Sequence, residues 1–206
     1  MTPFILLSLI SIFRPSLGHC QEIFEMQPSS AQTTIAHLKR SNHFPTLSML
    51  AQYRGEEKKG VRYLTHKEQQ AHLLHICDGL LCDVQGLPLN SKFTGPKEPL
   101  KVFPKFLEDR SAESQGYAIY VMDAKGQIYV SFEAKPKKFH HSSLLAGQAV
   151  AAAGEVIIFQ GQLYAINNQS GHYQPPPIVI KRVLSVLKAG GVSTQGVLVK
   201  HFGSDF

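Results

Sequence analysis

The chain has 206 residues, 43% of them hydrophobic, which fits one ordinary globular domain and excludes a chain that is disordered throughout. Its net charge of +6 is compatible with an acidic partner. The basic residues are scattered, however, and aromatic residues do not alternate with them, so we expect no nucleic-acid-binding surface.

The first twenty residues have the pattern of a signal peptide. The segment FILLSLISIF, residues 4–13, has the length of a signal-peptide core and is too short to span a bilayer. With cleavage after Gly18 or Cys20, we predict a secreted protein; the alternative is a periplasmic protein or one anchored by a lipid on Cys20. No later segment predicts stable membrane insertion.

The rest of the chain predicts a polar lead over residues 21–60 and a single α+β domain over residues 61–206. Thr65 and Glu68 form a capping-box pattern that predicts a helix over residues 66–72. We predict antiparallel hairpins and two or three short helices. The hairpins are centred on Asp78-Gly79, on DAKG within residues 117–132 and on Gln160-Gly161; a helix over residues 178–188 and a strand over residues 196–202 follow.

Two cysteines flank the first hairpin turn. A two-residue turn at Asp78-Gly79 places His75 opposite Cys82 and Cys77 opposite Leu80. The thiols then share a face diagonally, at the limit of what a disulfide can bridge. A disulfide and two small apolar strand residues are both compatible with this pattern.

Two polar clusters lie close together in the second half of the chain. The first is FHHSS, residues 139–143, which a small apolar run connects to Glu155, and the second is SGHY, residues 170–173. A two-residue turn at Gln160-Gly161 places Glu155 opposite Ile166 and therefore near the second cluster. We predict that Glu155 and both clusters meet in one pocket; the alternative is that these side chains bond to backbone groups or face solvent.

Common catalytic and metal-binding patterns do not account for these clusters. A serine hydrolase using Ser142 or Ser143 is conceivable, but the pattern GxSxG of a nucleophile elbow is absent. The ten histidines show no HxxxH pair on a convincing helix, and there is no CxxC pair, so we predict no metal site.

The combined motif resembles a domain of bacterial effector and polymorphic-toxin proteins and of plant IQ-motif calmodulin-binding proteins. The resemblance covers residues 61–178 and rests on AIYVMDAKGQIYVS, FHHSSLLAGQAVAAAGE and SGHYQP, together with RYLTHKEQQAHLLHICDGLLCDVQG upstream. Leu145 and Gln148 depart from the form HSSFLAGG.

The bacterial side of this resemblance implies an ADP-ribosyltransferase that uses NAD as a substrate to modify a host or competitor protein. It implies a carboxylate beside the reacting ribose, where positive charge develops in the transition state. The residues implied as catalytic are Glu155, His141 and Ser142. Those implied to bind NAD are Ser143, His172, Tyr173 and, as a phosphate contact, Arg62.

The plant side of the resemblance implies a domain that binds another protein without catalysing a reaction. Plant members lack an equivalent glutamate, which favours binding over catalysis in them. The alternative function is therefore a secreted, non-catalytic domain that recognises a host protein such as calmodulin. The basic amphipathic segment 178–188 is the kind of helix that such partners bind, although its apolar face is expected to pack on the sheet.

Overall fold

The computed structural model describes residues 43–91 and 117–203. The predicted signal peptide, residues 1–20, lies outside this described part of the chain. The strands are β1 (His75–Cys77), β2 (Leu80–Cys82), β3 (Ala118–Met122), β4 (Ile128–Ser131), β5 (Ala152–Phe159), β6 (Gln162–Asn167) and β7 (Leu198–Lys200). The α-helices are α1 (His66–Ala71), α2 (His141–Leu144) and α3 (Ile178–Ala189), and two 3₁₀ helices cover Ala51–Tyr53 and Glu56–Lys59.

The main sheet has five strands in the order β4-β3-β5-β6-β7. The first four pair antiparallel, so the predicted α+β class with antiparallel hairpins is confirmed. The last strand, β7, pairs parallel to β6, and α3 forms the connection between them. The sequence predicted this last strand but not its parallel pairing.

The predicted local signals of the N-terminal half are confirmed. The Thr65 hydroxyl accepts from the Glu68 amide, and the Glu68 carboxylate accepts from the Thr65 amide at 2.8 Å, which completes the capping box of α1. In the first hairpin His75 pairs with Cys82 and Cys77 with Leu80, as predicted. Both thiols are free.

The hairpin of β5 and β6 has a different register from the predicted one. The pairing shifts between Ile157 and Ile158, so that Val156, not Glu155, lies opposite Ile166. The prediction was wrong because Tyr164 is an extra, bulged residue, and a bulge moves every pair beyond it by one position. Glu155 instead lies beside Asn167, whose side-chain oxygen accepts from the Glu155 amide at 2.9 Å.

The two faces of the sheet are covered by different parts of the chain. On one face, α3 buries Val179, Ile180, Val183 and Leu187 against the strands. The other face is covered by α2 and by Met49 and Tyr53 of the predicted lead. In the segments that the structure describes, no helix has the length and hydrophobicity to cross a membrane.

Candidate functional site

The first polar cluster begins α2 and is held by its own hydrogen bonds. The Lys137 amide donates to His140 Nε2 at 2.9 Å, and the His140 amide donates to the Ser143 hydroxyl at 3.0 Å. Ser142 and Ser143 are completely buried. The polar residues that follow Phe139 therefore fix the loop to the start of the helix.

A buried carboxylate joins the two polar clusters, and it belongs to Glu56. The Ser142 hydroxyl donates to Glu56 Oε1, and His172 Nε2 lies 2.8 Å from Glu56 Oε2. Glu56 is only 7% exposed although it lies in the 3₁₀ helix Glu56–Lys59. We call Ser142, Glu56 and His172 the Glu56 cluster.

Aromatic rings enclose the Glu56 cluster. The ring of His172 lies between those of Tyr53 and His140, with centroid separations of 4.3 and 4.6 Å. Burial, together with the negative charges of Glu56 and Glu57, raises the pKa of the Tyr63 hydroxyl to about 12. Gly147 must lack a side chain here, since a Cβ atom would lie 2.9 Å from the Tyr63 hydroxyl oxygen.

Glu155 belongs to a different set of contacts. It is 5% exposed, and Asn167 Nδ2 donates to its Oε2 at 2.9 Å. Burial raises the pKa of this carboxyl above its ordinary value. The structure thus brings Ser142 and His172 together, as predicted, but the carboxylate that joins them is Glu56 rather than Glu155.

The remaining predicted site residues also make internal contacts. His141 Nε2 lies 2.9 Å from the Gly154 carbonyl, and burial lowers the pKa of this imidazole to about 4, so it donates as a neutral ring. The Tyr173 hydroxyl donates to the Gln148 carbonyl at 2.8 Å. Arg62 is exposed, and its guanidinium pairs with the Glu68 carboxylate at 2.5 Å.

Two cavities of the described structure lie near the polar clusters. One, of about 310 Å³, lies beside Tyr63 and Met49. Another, of about 670 Å³, lies between Leu47, Ser170 and Phe202. Glu155, Ser142 and His172 line neither of them. Within residues 43–91 and 117–203, no group of three or more His, Cys, Asp or Glu side chains could hold a metal ion.

The Glu56 cluster does not have the connectivity of a hydrolase triad. In such a triad the histidine accepts the serine proton and the carboxylate orients the histidine. Here Ser142 and His172 bond to different oxygens of the same carboxylate. The hydroxyl proton of Ser142 is therefore directed at Glu56 and not at His172.

Glu56 is the member of this cluster that sequence reasoning missed. Glu56 lies in the segment YRGEEKKG of the predicted polar lead, and the mixed charges of this segment are typical of an exposed linker. Nothing local distinguishes Glu56 from its neighbour Glu57, which is exposed. The contact that buries Glu56 joins residues 86 positions apart.

The polar motif that carries these contacts lies within the part of the chain that matches a known family. Residues 105–177 match the model of the IQ motif-containing protein middle domain. The chain is similar to IQ domain-containing protein IQM3 of Arabidopsis thaliana, with 31% identity over 145 residues, which are 70% of this chain and 28% of that protein.

Other relatives from the same plant carry similar names. The chain is 29% identical to IQ domain-containing protein IQM1 over 141 residues, which are 68% of this chain and 25% of that protein. It is 36% identical to IQM2 over 93 residues, 45% of this chain and 15% of that protein. The chain thus spans about a quarter or less of each of these relatives. No solved structure matches it.

These similarities correct the enzymatic interpretation of the sequence. The plant half of the predicted resemblance is supported, because the family model and the relatives are all IQ motif or IQ domain proteins. The interpretation as a toxin and ADP-ribosyltransferase was wrong, and so was NAD as its substrate. None of the similarities supports a signal peptide or secretion, which stay untested predictions.

Proposed function

We propose that this chain is a non-catalytic protein-binding domain whose partner is a regulatory protein such as calmodulin. One observation carries the proposal: most polar side chains of the motif bond to one another or to the backbone inside the fold. Ser142 and His172 bond to Glu56, His141 to the Gly154 carbonyl, and Glu155 to Asn167. Groups engaged in this way stabilise a domain. Ser170 differs from them, because its buried hydroxyl has no hydrogen-bond partner among the described residues.

The similarity to IQ domain-containing proteins supports a binding function in a second way. The family model describes the middle domain of IQ motif-containing proteins, so the similarity is to a part that accompanies the IQ motif. The proteins that contain this middle domain are named for a binding motif, which favours a binding function for the domain as well. We therefore expect the chain to bind a partner of the calmodulin type.

The helix α3 is not the partner-binding element in this proposal. A helix that binds in a partner's groove offers its apolar face to that partner. In α3 the residues Val179, Ile180, Val183 and Leu187 are already buried against the sheet. Releasing them would expose the core, so the binding surface must lie elsewhere.

Isothermal titration calorimetry of the full chain with purified calmodulin tests this proposal. The titration is run once with calcium and once with a chelator, because calcium changes the exposed surface of calmodulin. We expect saturable heat of binding in at least one of the two conditions. Absence of binding in both conditions would overturn calmodulin as the partner.

A further inference from the structure

Two lysine-bearing segments lie side by side on the surface next to the Glu56 cluster. Lys58 and Lys59 end the 3₁₀ helix Glu56–Lys59, and Lys137 and Lys138 lie in the loop before α2. The amide of Arg62, which follows the first segment, donates to the Lys138 carbonyl at 2.8 Å and so brings the chain after Lys59 beside the second segment. We call Lys58, Lys59, Lys137 and Lys138 the lysine surface.

Buried groups hold both segments in place. Glu56 anchors the first segment, since its carboxylate accepts from Ser142 and pairs with His172. His140 anchors the second segment, since its imidazole accepts from the Lys137 amide at 2.9 Å. Because the rings of His140 and His172 are in contact, the two anchors belong to one packed unit.

The lysine surface carries four ammonium groups, and the exposed carboxylate of Glu57 directly precedes Lys58 in the chain. All four lysines are exposed. The ion pairs nearby are Arg62–Glu68 and Lys135–Glu133, and within the described ranges neither involves a member of the lysine surface. Four ammonium groups on two neighbouring segments make the local electrostatic potential more positive, which favours a negatively charged partner.

We propose that the lysine surface is the docking site for a carboxylate-rich face of a partner protein. This inference rests on the proposed binding function and specifies where the partner binds. Lysine ammonium groups attract carboxylates without requiring the planar geometry that arginine imposes. Calmodulin, whose calcium-binding loops are built from Asp and Glu, is one protein of this chemistry.

The surroundings of the lysine surface favour a protein over a membrane or a nucleic acid. The large apolar side chains that are exposed in the described structure are Val84, Leu87, Ile178 and Val199, and none belongs to these two segments. A membrane-binding segment is expected to carry exposed apolar side chains beside its basic residues. The two lysine-bearing segments carry none of these four. The nearest rings, Tyr53 and His140, pack on His172 and are not free to stack on bases.

Charge-reversal variants of the full chain test this surface. The two test variants are K58E/K59E and K137E/K138E, and the matched control is K181E/K188E, which reverses two exposed lysines of α3.

Calmodulin affinity is measured by calorimetry. We expect each test variant to bind about tenfold more weakly than the wild type, and the control to stay within about twofold. Melting temperatures within about 3 °C of the wild type show that folding is intact. K58Q/K59Q or K137Q/K138Q replaces the corresponding reversal if that variant fails to fold.

The outcomes separate this inference from the proposed function. If the wild type binds calmodulin and the test variants bind equally well, the lysine surface is wrong and the binding function stands. If the wild type does not bind calmodulin, retention on immobilised poly-L-glutamate tests the lysine surface instead. Elution of the test variants at lower salt than the control supports the lysine surface, and elution at the same salt overturns it. Binding only to phosphatidylserine vesicles, with the same dependence on the variants, overturns a protein partner.

Discussion

At the scale of single residues, polar groups in this protein differ in function through burial rather than through residue type. Glu56 and Glu57 are adjacent and chemically identical, yet Glu56 is 7% exposed and bonded to two side chains while Glu57 faces solvent. The sequence predicted that Ser142 and His172 come together, because each lies in a compact polar cluster. It could not predict their shared carboxylate, since that contact depends on how a distant segment folds back.

Glu155 provides a test of burial at a single residue. Because burial raises its folded-state pKa, the folded state binds this proton more tightly than the unfolded state. The contribution of Glu155 to stability is therefore fully present below its ordinary pKa and is lost as pH rises through the raised pKa. Glu155→Gln removes the cost of ionising a buried carboxyl. The stability of the variant relative to the wild type should therefore increase as pH rises from about 4 to 7.

Urea unfolding of both proteins across this pH range measures the effect of Glu155→Gln. The matched control is Glu133→Gln, because hydrogen bonding to Lys135 lowers the pKa of Glu133 and it should give the opposite, smaller trend. A difference between Glu155→Gln and the wild type that does not change with pH would contradict the raised pKa of the Glu155 carboxyl.

At the scale of elements, the turns were predictable and the irregularities were not. Asp78-Gly79 and Gln160-Gly161 have positive φ at both residues, as a two-residue hairpin turn requires, and glycine marks such turns in a sequence. The bulge at Tyr164 has no comparable local signal. Its position depends on how the strand ends pack, which explains why the predicted partner of Glu155 was wrong by one residue.

Gly154 shows how closely β5 and β6 approach at the end of this hairpin. A Cβ atom at this position would lie 2.0 Å from the Asn167 carbonyl oxygen. We expect Gly154→Ala to lower the free energy of unfolding by about 3 kcal/mol, since the backbone must move to admit the methyl group. Gly171→Ala is the control, because a Cβ atom there meets nothing within 4 Å. Equal free energies of unfolding of the two variants, measured in urea, would contradict this close approach of β5 and β6.

At the scale of the whole molecule, the sequence predicted the α+β class correctly and the chemistry incorrectly. Hairpin turns and alternating strands are local, so the fold class followed from them. The function was inferred from polar residues whose contacts are long-range, and a pattern of His, Ser and Glu does not distinguish a reacting group from a buried structural one. In the folded chain the Glu56 cluster is an internal support. The exposed positive charge of the lysine surface lies on the two segments that this cluster and His140 anchor.

Hydrogen exchange measured by mass spectrometry on the Glu56→Ala chain tests this internal support most directly. Without the carboxylate, Ser142 and His172 lose their shared partner, so both lysine-bearing segments should loosen together. We predict faster exchange than in the wild type over residues 56–62 and 135–143, unchanged protection in β3 and β5, and no effect of the control Glu57→Ala. Exchange that is unchanged, or faster only within residues 56–59, would contradict the account.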